Sequence, residues 1–128
     1  MIYGYARVSY TDQDLSIQLA ALKAAGAEII RSEKYTGTKR QGRVELETLL
    51  QFLREGDTLL VTRVDRFARS VRDLENMVDL LEKKVCLLRC TEQPVDTSSS
   101  AGRALLQVLG VFAEFETNLR RERQMEGI

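Results

Sequence analysis

Apolar and polar residues change period along the chain, and the changes outline a series of elements. Ile2 to Val8 (IYGYARV) is β-prone and predicts a strand that ends at a polar loop, Ser9 to Asp14. Leu15 to Ala25 places Ile17, Leu19 and Leu22 near helical spacing, with Gly26 as a fitting stop. Glu28 to Arg31 carries a short Ile29-Ile30 strand, and Lys34 to Gly42 (KYTGTKRQG) reads as a polar loop. Arg43 to Arg54 repeats Leu46, Leu49, Leu50 and Leu53 as one helix face. Glu55-Gly56-Asp57 is a turn, and Thr58 to Thr62 (TLLVT) reads as a buried strand. Val71 to Lys83 is helical with Leu74, Met77, Val78 and Leu81 inward, and Val85 to Leu88 is a fourth strand. Thr91 to Ser100 holds the only proline and a serine run, so it is a loop; one long helical pattern follows from Ala101.

Strand and helix in alternation predict an α/β fold: a mostly parallel sheet of about four strands flanked by helices, plus the long C-terminal helix. The expected division is an α/β core over residues 1–100 and the helix over 101–128. Chemistry in such sheets gathers at the carboxyl ends of the strands. Ser9 follows the first strand and Arg63 to Arg69 follows the Thr58 to Thr62 strand, so two polar clusters converge on that edge. The last helix would span ~40 Å at ~1.5 Å per residue. Its first half carries Leu105, Leu106, Val108, Leu109, Val111, Phe112 and Phe115, which occupy more than one face. That pattern predicts a dimer interface on Leu105, Leu106, Leu109, Phe112 and Phe115; the alternative is a helix buried wholly in its own domain. The second half turns charged at Arg120-Arg121-Glu122-Arg123.

Composition narrows the chemistry. The 128 residues are 44% hydrophobic and 30% charged, which suits one globular domain. No apolar run approaches the ~18 residues of a membrane span, and the N-terminus has no signal-peptide pattern, so the expected location is the cytoplasm. Histidine is absent, which excludes a Ser-His-Asp triad. Cys86 and Cys90, spaced along a strand, sit too far apart to bridge and read as reduced core thiols. Two cysteines without histidine argue against zinc, and no dense acidic cluster suits two metals. Gly37-Thr38-Lys39 lacks the spacing of a phosphate-binding loop, so neither a nucleotide cofactor nor any other cofactor is expected. The 19 basic and 19 acidic residues cancel, so only local clustering could favour nucleic acid.

Such clusters exist. Arg63, Arg66, Arg69 and Arg72 recur every three residues with Asp65 among them. They form either a solvated helix start or a cradle whose guanidinium forks match phosphate oxygens. Lys34, Lys39, Arg40 and Arg43 make a second basic stretch, readable as a surface loop or an anion contact. Arg7 and Ser9 point the same way if the strand alternates through Ser9. Ser9 is then either a strand-ending cap or a nucleophile toward a phosphodiester, with arginines favouring the alkoxide and stabilising a pentacoordinate transition state.

Tyr5-Ala6-Arg7-Val8-Ser9, Gln18 and Asp65-Arg66-Phe67-Ala68-Arg69-Ser70 resemble, in order and spacing, the signature blocks of small serine recombinases of the resolvase/invertase family. Asp96-Thr97-Ser98-Ser99 with Gly102-Arg103, then Phe112-Ala113-Glu114-Phe115-Glu116 and Arg121-Glu122-Arg123, resemble the start and body of that family's long helix. The resemblance covers essentially the whole chain. It implies that Ser9 attacks a DNA phosphodiester to give a 5′-phosphoserine link and a free 3′-hydroxyl, without ATP. It implies that Arg7, Arg66 and Arg69 hold the scissile phosphate. Asp65 would assist proton transfer or orient a sugar oxygen, and Gln18 and Arg43 would support the site. The implied partners are double-stranded DNA and further copies of the chain, as a homodimer assembling to a tetramer. Arg120, Arg121 and Arg123, with Lys39 and Arg40, would contact the DNA. The chain departs from the family pattern at Thr117, where an arginine of the active-site set is usual; Tyr10 and Gly42 are milder departures. Thr117 supports an alternative: a catalytically impaired oligomerisation or regulatory module of the same fold. The resemblance also implies a C-terminal helix-turn-helix domain beyond this sequence, so the chain is expected to be a fragment.

Overall fold

A computed structural model describes residues 1–9, 15–35, 44–64, 68 and 70–109, with only the backbone of Val8, Ser9, Tyr35 and Val71. Its strands are β1 (Ile2–Ser9), β2 (Ile29–Tyr35), β3 (Thr58–Val61) and β4 (Leu87–Cys90). Its helices are α1 (Leu15–Ala24), α2 (Val44–Phe52) and α3 (Val71–Lys83), followed by helical backbone over 100–109, here α4. The strands form one parallel sheet in the order β2-β1-β3-β4. The α/β class and the parallel sheet are thus as the sequence predicts. The long helix beyond residue 109 lies outside the described residues.

Apolar burial on both faces holds the layers together. One face carries Tyr5, Leu59, Val61, Leu88 and Cys90, which pack with Leu46 and Leu49 of α2, Leu53 just after it, Leu74, Met77 and Leu81 of α3, and Leu106 of α4. The opposite face buries Ala6 and Leu60 against Leu22 of α1. A methyl group on Gly4 would lie 3.1 Å from the Ala27 Cβ and 3.4 Å from the Leu22 Cβ, so the missing side chain lets α1 approach the sheet closely. Arg89 of β4 donates to the Ala25 carbonyl at 2.8 Å, placing a cation at the α1 carboxyl end. Cys86 and Cys90 are buried free thiols, as expected. No helix among the described residues is long and apolar enough to cross a membrane.

Three local expectations are corrected. Ile17 is 65% exposed, and Gln18 faces inward in its place, at 3%. β2 runs on through Lys34 and Tyr35, past the point where the polar pattern predicts a loop. As a strand with one ladder, to β1, it keeps polar residues such as Arg31, Ser32 and Lys34 in solvent, so the apolar pattern ends before the strand does. Val85 is not in a strand. Its φ is +58°, its N–H donates to the Glu82 carbonyl at 3.0 Å, and the Cys86 N–H donates to the Leu81 carbonyl at 2.8 Å. That pair is the Schellman closure of α3. Gly26 closes α1 in the same way, with φ +103° and bonds from Gly26 N–H to Lys23 and from Ala27 N–H to Leu22.

Candidate active site at the carboxyl edge of the sheet

In a sheet ordered 2-1-3-4, the chain leaves β1 toward one side and returns on the other, so the topological switch point lies between β1 and β3. Ser9 is the last residue of β1. The β1–β3 register runs from Ile2↔Thr58 to Gly4↔Leu60, whereas the β1–β2 register continues to Ser9↔Tyr35. The carboxyl end of β1 therefore reaches past its ladder with β3, into the crevice where such folds bind ligands.

Neighbouring elements brace this end. Gln18, buried under α1, donates from Nε2 to the Arg7 carbonyl at 3.3 Å. The amide thus grips the backbone two residues before Ser9, and Arg7 itself is half-buried. On the flank, Tyr5 donates its hydroxyl to Glu33 Oε2 at 2.5 Å, and Glu33 Oε1 accepts from the Glu45 N–H at 3.0 Å. Glu33 thereby caps the amino end of α2, where a carboxylate also complements the helix dipole.

Across the switch point, the β3–β4 ladder continues past both strands. Thr91 N–H donates to the Val61 carbonyl and Glu92 N–H to the Thr62 carbonyl, both at 2.9 Å. Val64 N–H then donates to the Gln93 side-chain oxygen at 2.9 Å. Arg63 and Glu92 approach to 4.0 Å as an exposed, weak ion pair. Further on, Ser70 caps α3 by accepting from the Asp73 N–H at 3.1 Å, and Arg72 is exposed on that helix.

The return from β4 to α4 is knitted by side chains. Thr97 Oγ accepts from the buried Leu88 N–H at 2.9 Å. Asp96 accepts from the Ser98 N–H and hydroxyl at 2.9 and 2.6 Å, and these bonds hold its carboxyl below the usual range. Ser99 Oγ accepts from the Gly102 N–H at 3.0 Å, and Arg103 Nε donates to the Thr97 carbonyl at 3.1 Å. Leu106 is 6% exposed in the domain's own core, with Leu105 and Leu109 partly buried against it.

Of the residues singled out from sequence, the structure brings Arg7, Gln18 and the Ser9 backbone together. Arg43, Asp65, Arg66, Arg69, Lys39, Arg40, Phe112, Phe115, Thr117, Arg120, Arg121 and Arg123 lie outside the described residues. Sequence reasoning missed Glu33 and Gln93. Each is a polar residue whose role depends on a segment distant in the chain or across a turn, and neither sits on a periodic face. The Asp96-Thr97-Ser98-Ser99 run after proline was the local hint of the α4 cap.

Comparison with known proteins agrees with this geometry. The family model for the resolvase N-terminal domain matches residues 2–128. An integrase-like protein of Sinorhizobium fredii is 56% identical over 125 residues, 98% of this chain and 68% of that protein. The Tn917 resolvase of Enterococcus faecalis is 39% identical over 128 residues, covering all of this chain and 69% of the resolvase. The serine recombinase gin of Escherichia phage Mu is 41% identical, covering all of this chain and 66% of gin. The chain thus spans about two thirds of the length of these relatives. Among solved structures, a resolvase-family site-specific recombinase from Streptococcus pneumoniae superposes with a TM-score of 0.69 at 26% identity, over 98% of this chain and 93% of that one. The N-terminal catalytic domain of TP901-1 integrase gives 0.69 at 26% identity, over 92% and 97%. The chain belongs to the resolvase family of serine recombinases, to whose N-terminal catalytic domain it corresponds.

Proposed function

We propose that this chain cuts and rejoins DNA in site-specific recombination of the resolution or inversion type, with Ser9 as nucleophile. The observation that carries the reading is the position of Ser9 at the end of β1, beside the β1–β3 switch point at which β3, the strand that Arg63 to Arg69 follow in the sequence, also ends. Ser9 Oγ attacks phosphorus, its proton passes to a base, and the bond from phosphorus to the 3′-oxygen breaks. The products are a 5′-phosphoserine ester and a protonated 3′-hydroxyl. Attack by a 3′-hydroxyl on that ester reverses the step, so the bond energy is conserved and no nucleotide is consumed.

Arg7, Arg66 and Arg69 bind the phosphate and stabilise the charge that grows on its oxygens. Asp65 handles the proton or a sugar oxygen, and Arg43 completes the set. Gln18 acts through the backbone, fixing the carboxyl end of β1. In this reading residues 1–100 are the catalytic core, and 101–128 form the helix that dimerises and crosses the DNA. Leu106, expected at the dimer interface, serves the domain's own core instead; Leu105 and Leu109 pack partly against that core and, by their uncovered flank, with Phe112 and Phe115, meet a second copy. Arg120, Arg121, Arg123, Lys39 and Arg40 meet phosphates, and two dimers join as a tetramer on two sites.

The test is a covalent-adduct assay with the chain joined to a DNA-binding domain of known target. The expected result is protein on DNA 5′ ends, lost in Ser9→Ala. An adduct that forms only after Thr117→Arg would favour the impaired regulatory module for the natural chain. Confirmed DNA binding without an adduct in any version would overturn the enzymatic reading.

A further inference from the structure

We infer that Gln93 is a positioning residue for the cleavage step, holding the exit of β3 at the angle from which Arg66 and Arg69 are presented. The inference rests on the recombinase reading above. Its basis is the pair of bonds on Val64. The Val64 N–H donates to Gln93 Oε1 at 2.9 Å, and the Val64 carbonyl accepts from the Ala68 N–H at 2.9 Å. The first bond fixes where the chain leaves the sheet. The second ties Ala68 back to Val64. Val64 thus takes part in both bonds, and a side chain from the return after β4 holds its N–H.

Gln93 itself is firmly held. Its carbonyl accepts from the Val95 N–H at 2.7 Å, and the Val95 carbonyl accepts from the Cys90 N–H at 2.9 Å. Val95 is buried, and Thr97 is locked to Leu88 through both its backbone and its hydroxyl. Pro94 lacks an N–H and has a fixed φ, so the tip of this return bends with few alternatives. Beyond β3 and β4 the backbone ladder contributes two more bonds, and the Gln93 amide supplies the next one by side chain. An acceptor is what the position requires. The Val64 N–H has its partner there, and a partly buried amide that loses its acceptor frees the peptide to reorient. Because arginine forks must meet phosphate oxygens in bidentate geometry, a small rotation at Val64 is magnified at side-chain tips several bonds away.

The test compares Gln93→Leu, which keeps the bulk and removes the acceptor, with Gln93→Glu, which restores an acceptor. Three quantities are measured: the single-turnover rate of adduct formation at saturating DNA, the DNA concentration at half saturation, and amide exchange at Val64. Loss of one such bond should slow Gln93→Leu about tenfold, equivalent to about 1.4 kcal/mol, with Gln93→Glu within about twofold of the parent. Half-saturating DNA should stay unchanged, and Val64 should exchange faster only in Gln93→Leu. A Gln93→Leu protein reacting at the parent rate would overturn the inference and leave the recombinase reading standing. So would equal slowing in Gln93→Glu with Val64 still protected, since that pattern belongs to a general loss of packing. A parent chain that makes no adduct at its site would remove the recombinase reading, and this role with it.

Discussion

Replacing Gly102 with alanine sets two effects of opposite sign against each other. Gly102 lies in α4, and alanine there should stabilise a helix interior by about 1 kcal/mol on propensity alone. The tertiary structure opposes this. An added Cβ would sit 2.1 Å from the Asp96 carbonyl oxygen and 2.7 Å from the Asp96 nitrogen, both backbone atoms that cannot swing away. To restore even 3.0 Å, the start of α4 must retreat by about 0.9 Å. Such a shift stretches the bond from Gly102 N–H to Ser99 and that from Arg103 to the Thr97 carbonyl, which stand at 3.0 and 3.1 Å. It also loosens Leu106 in the core. Two hydrogen bonds at about 1 kcal/mol each, plus overpacking strain of about 1–3 kcal/mol, outweigh the propensity gain. The net expectation is a loss of about 2 kcal/mol or more. With an unfolding entropy of about 2.1 cal/mol/K per residue, that lowers the Tm of a 128-residue domain by about 7 °C. Thermal unfolding followed by circular dichroism gives the answer. A Tm equal to or above the parent's would mean that propensity wins and that α4 does not depend on close seating against Asp96.

Two further outcomes are expected. Val85→Gly should raise stability by up to about 1 kcal/mol in urea titration, because a β-branched residue at φ +58° carries left-handed strain, and a side chain 59% exposed gives up little packing. A destabilised Val85→Gly protein would show that the strain estimate is wrong. Asp96 has its folded pKa lowered by the Ser98 hydrogen bonds, so the unfolded chain takes up the proton first as pH falls. Its contribution is therefore fully present above the ordinary carboxylate value near 3.8 and is lost as pH drops through the lowered folded value. Asp96→Asn should flatten the acid limb of a stability–pH curve, and an unchanged limb would contradict the assignment.

Sequence disclosed the fold where burial and periodicity coincide. Leu46, Leu49, Leu50 and Leu53 mark α2, and Leu74, Met77, Val78 and Leu81 mark α3, because each set has one solvent-free face. It misled where a polar group is buried or an apolar one exposed: Gln18 and Ile17 exchange the roles that hydropathy assigns them. Val85 reads as a strand residue because β-branched residues favour strands, yet the closure of α3 places it in a conformation that usually selects glycine. The position of Arg7 and Ser9 at the carboxyl end of β1 was legible because strand ends can be placed in the sequence. Gln93 and Glu33 were not, since their partners are separated from them by 29 and 12 residues and only the sheet brings them together.

The place of β1 in the sheet also governs the timing of folding. The first strand made is an interior one, and its partner on the β3 side, Thr58 opposite Ile2, lies 56 residues downstream. At about 5–20 residues per second of synthesis, the interval between them is about 3 to 11 seconds. During that time Tyr5 and Ala6, wholly enclosed in the finished domain, have β2, α1 and, last, α2 available to cover them, but neither β3 nor α3. β2 can pair with β1 early, but the β1–β3 ladder must wait for a long loop to close. A ribosome pausing before Thr58 would leave the central strand without one neighbour, which makes that stretch of the message the interval in which a chaperone has most to protect.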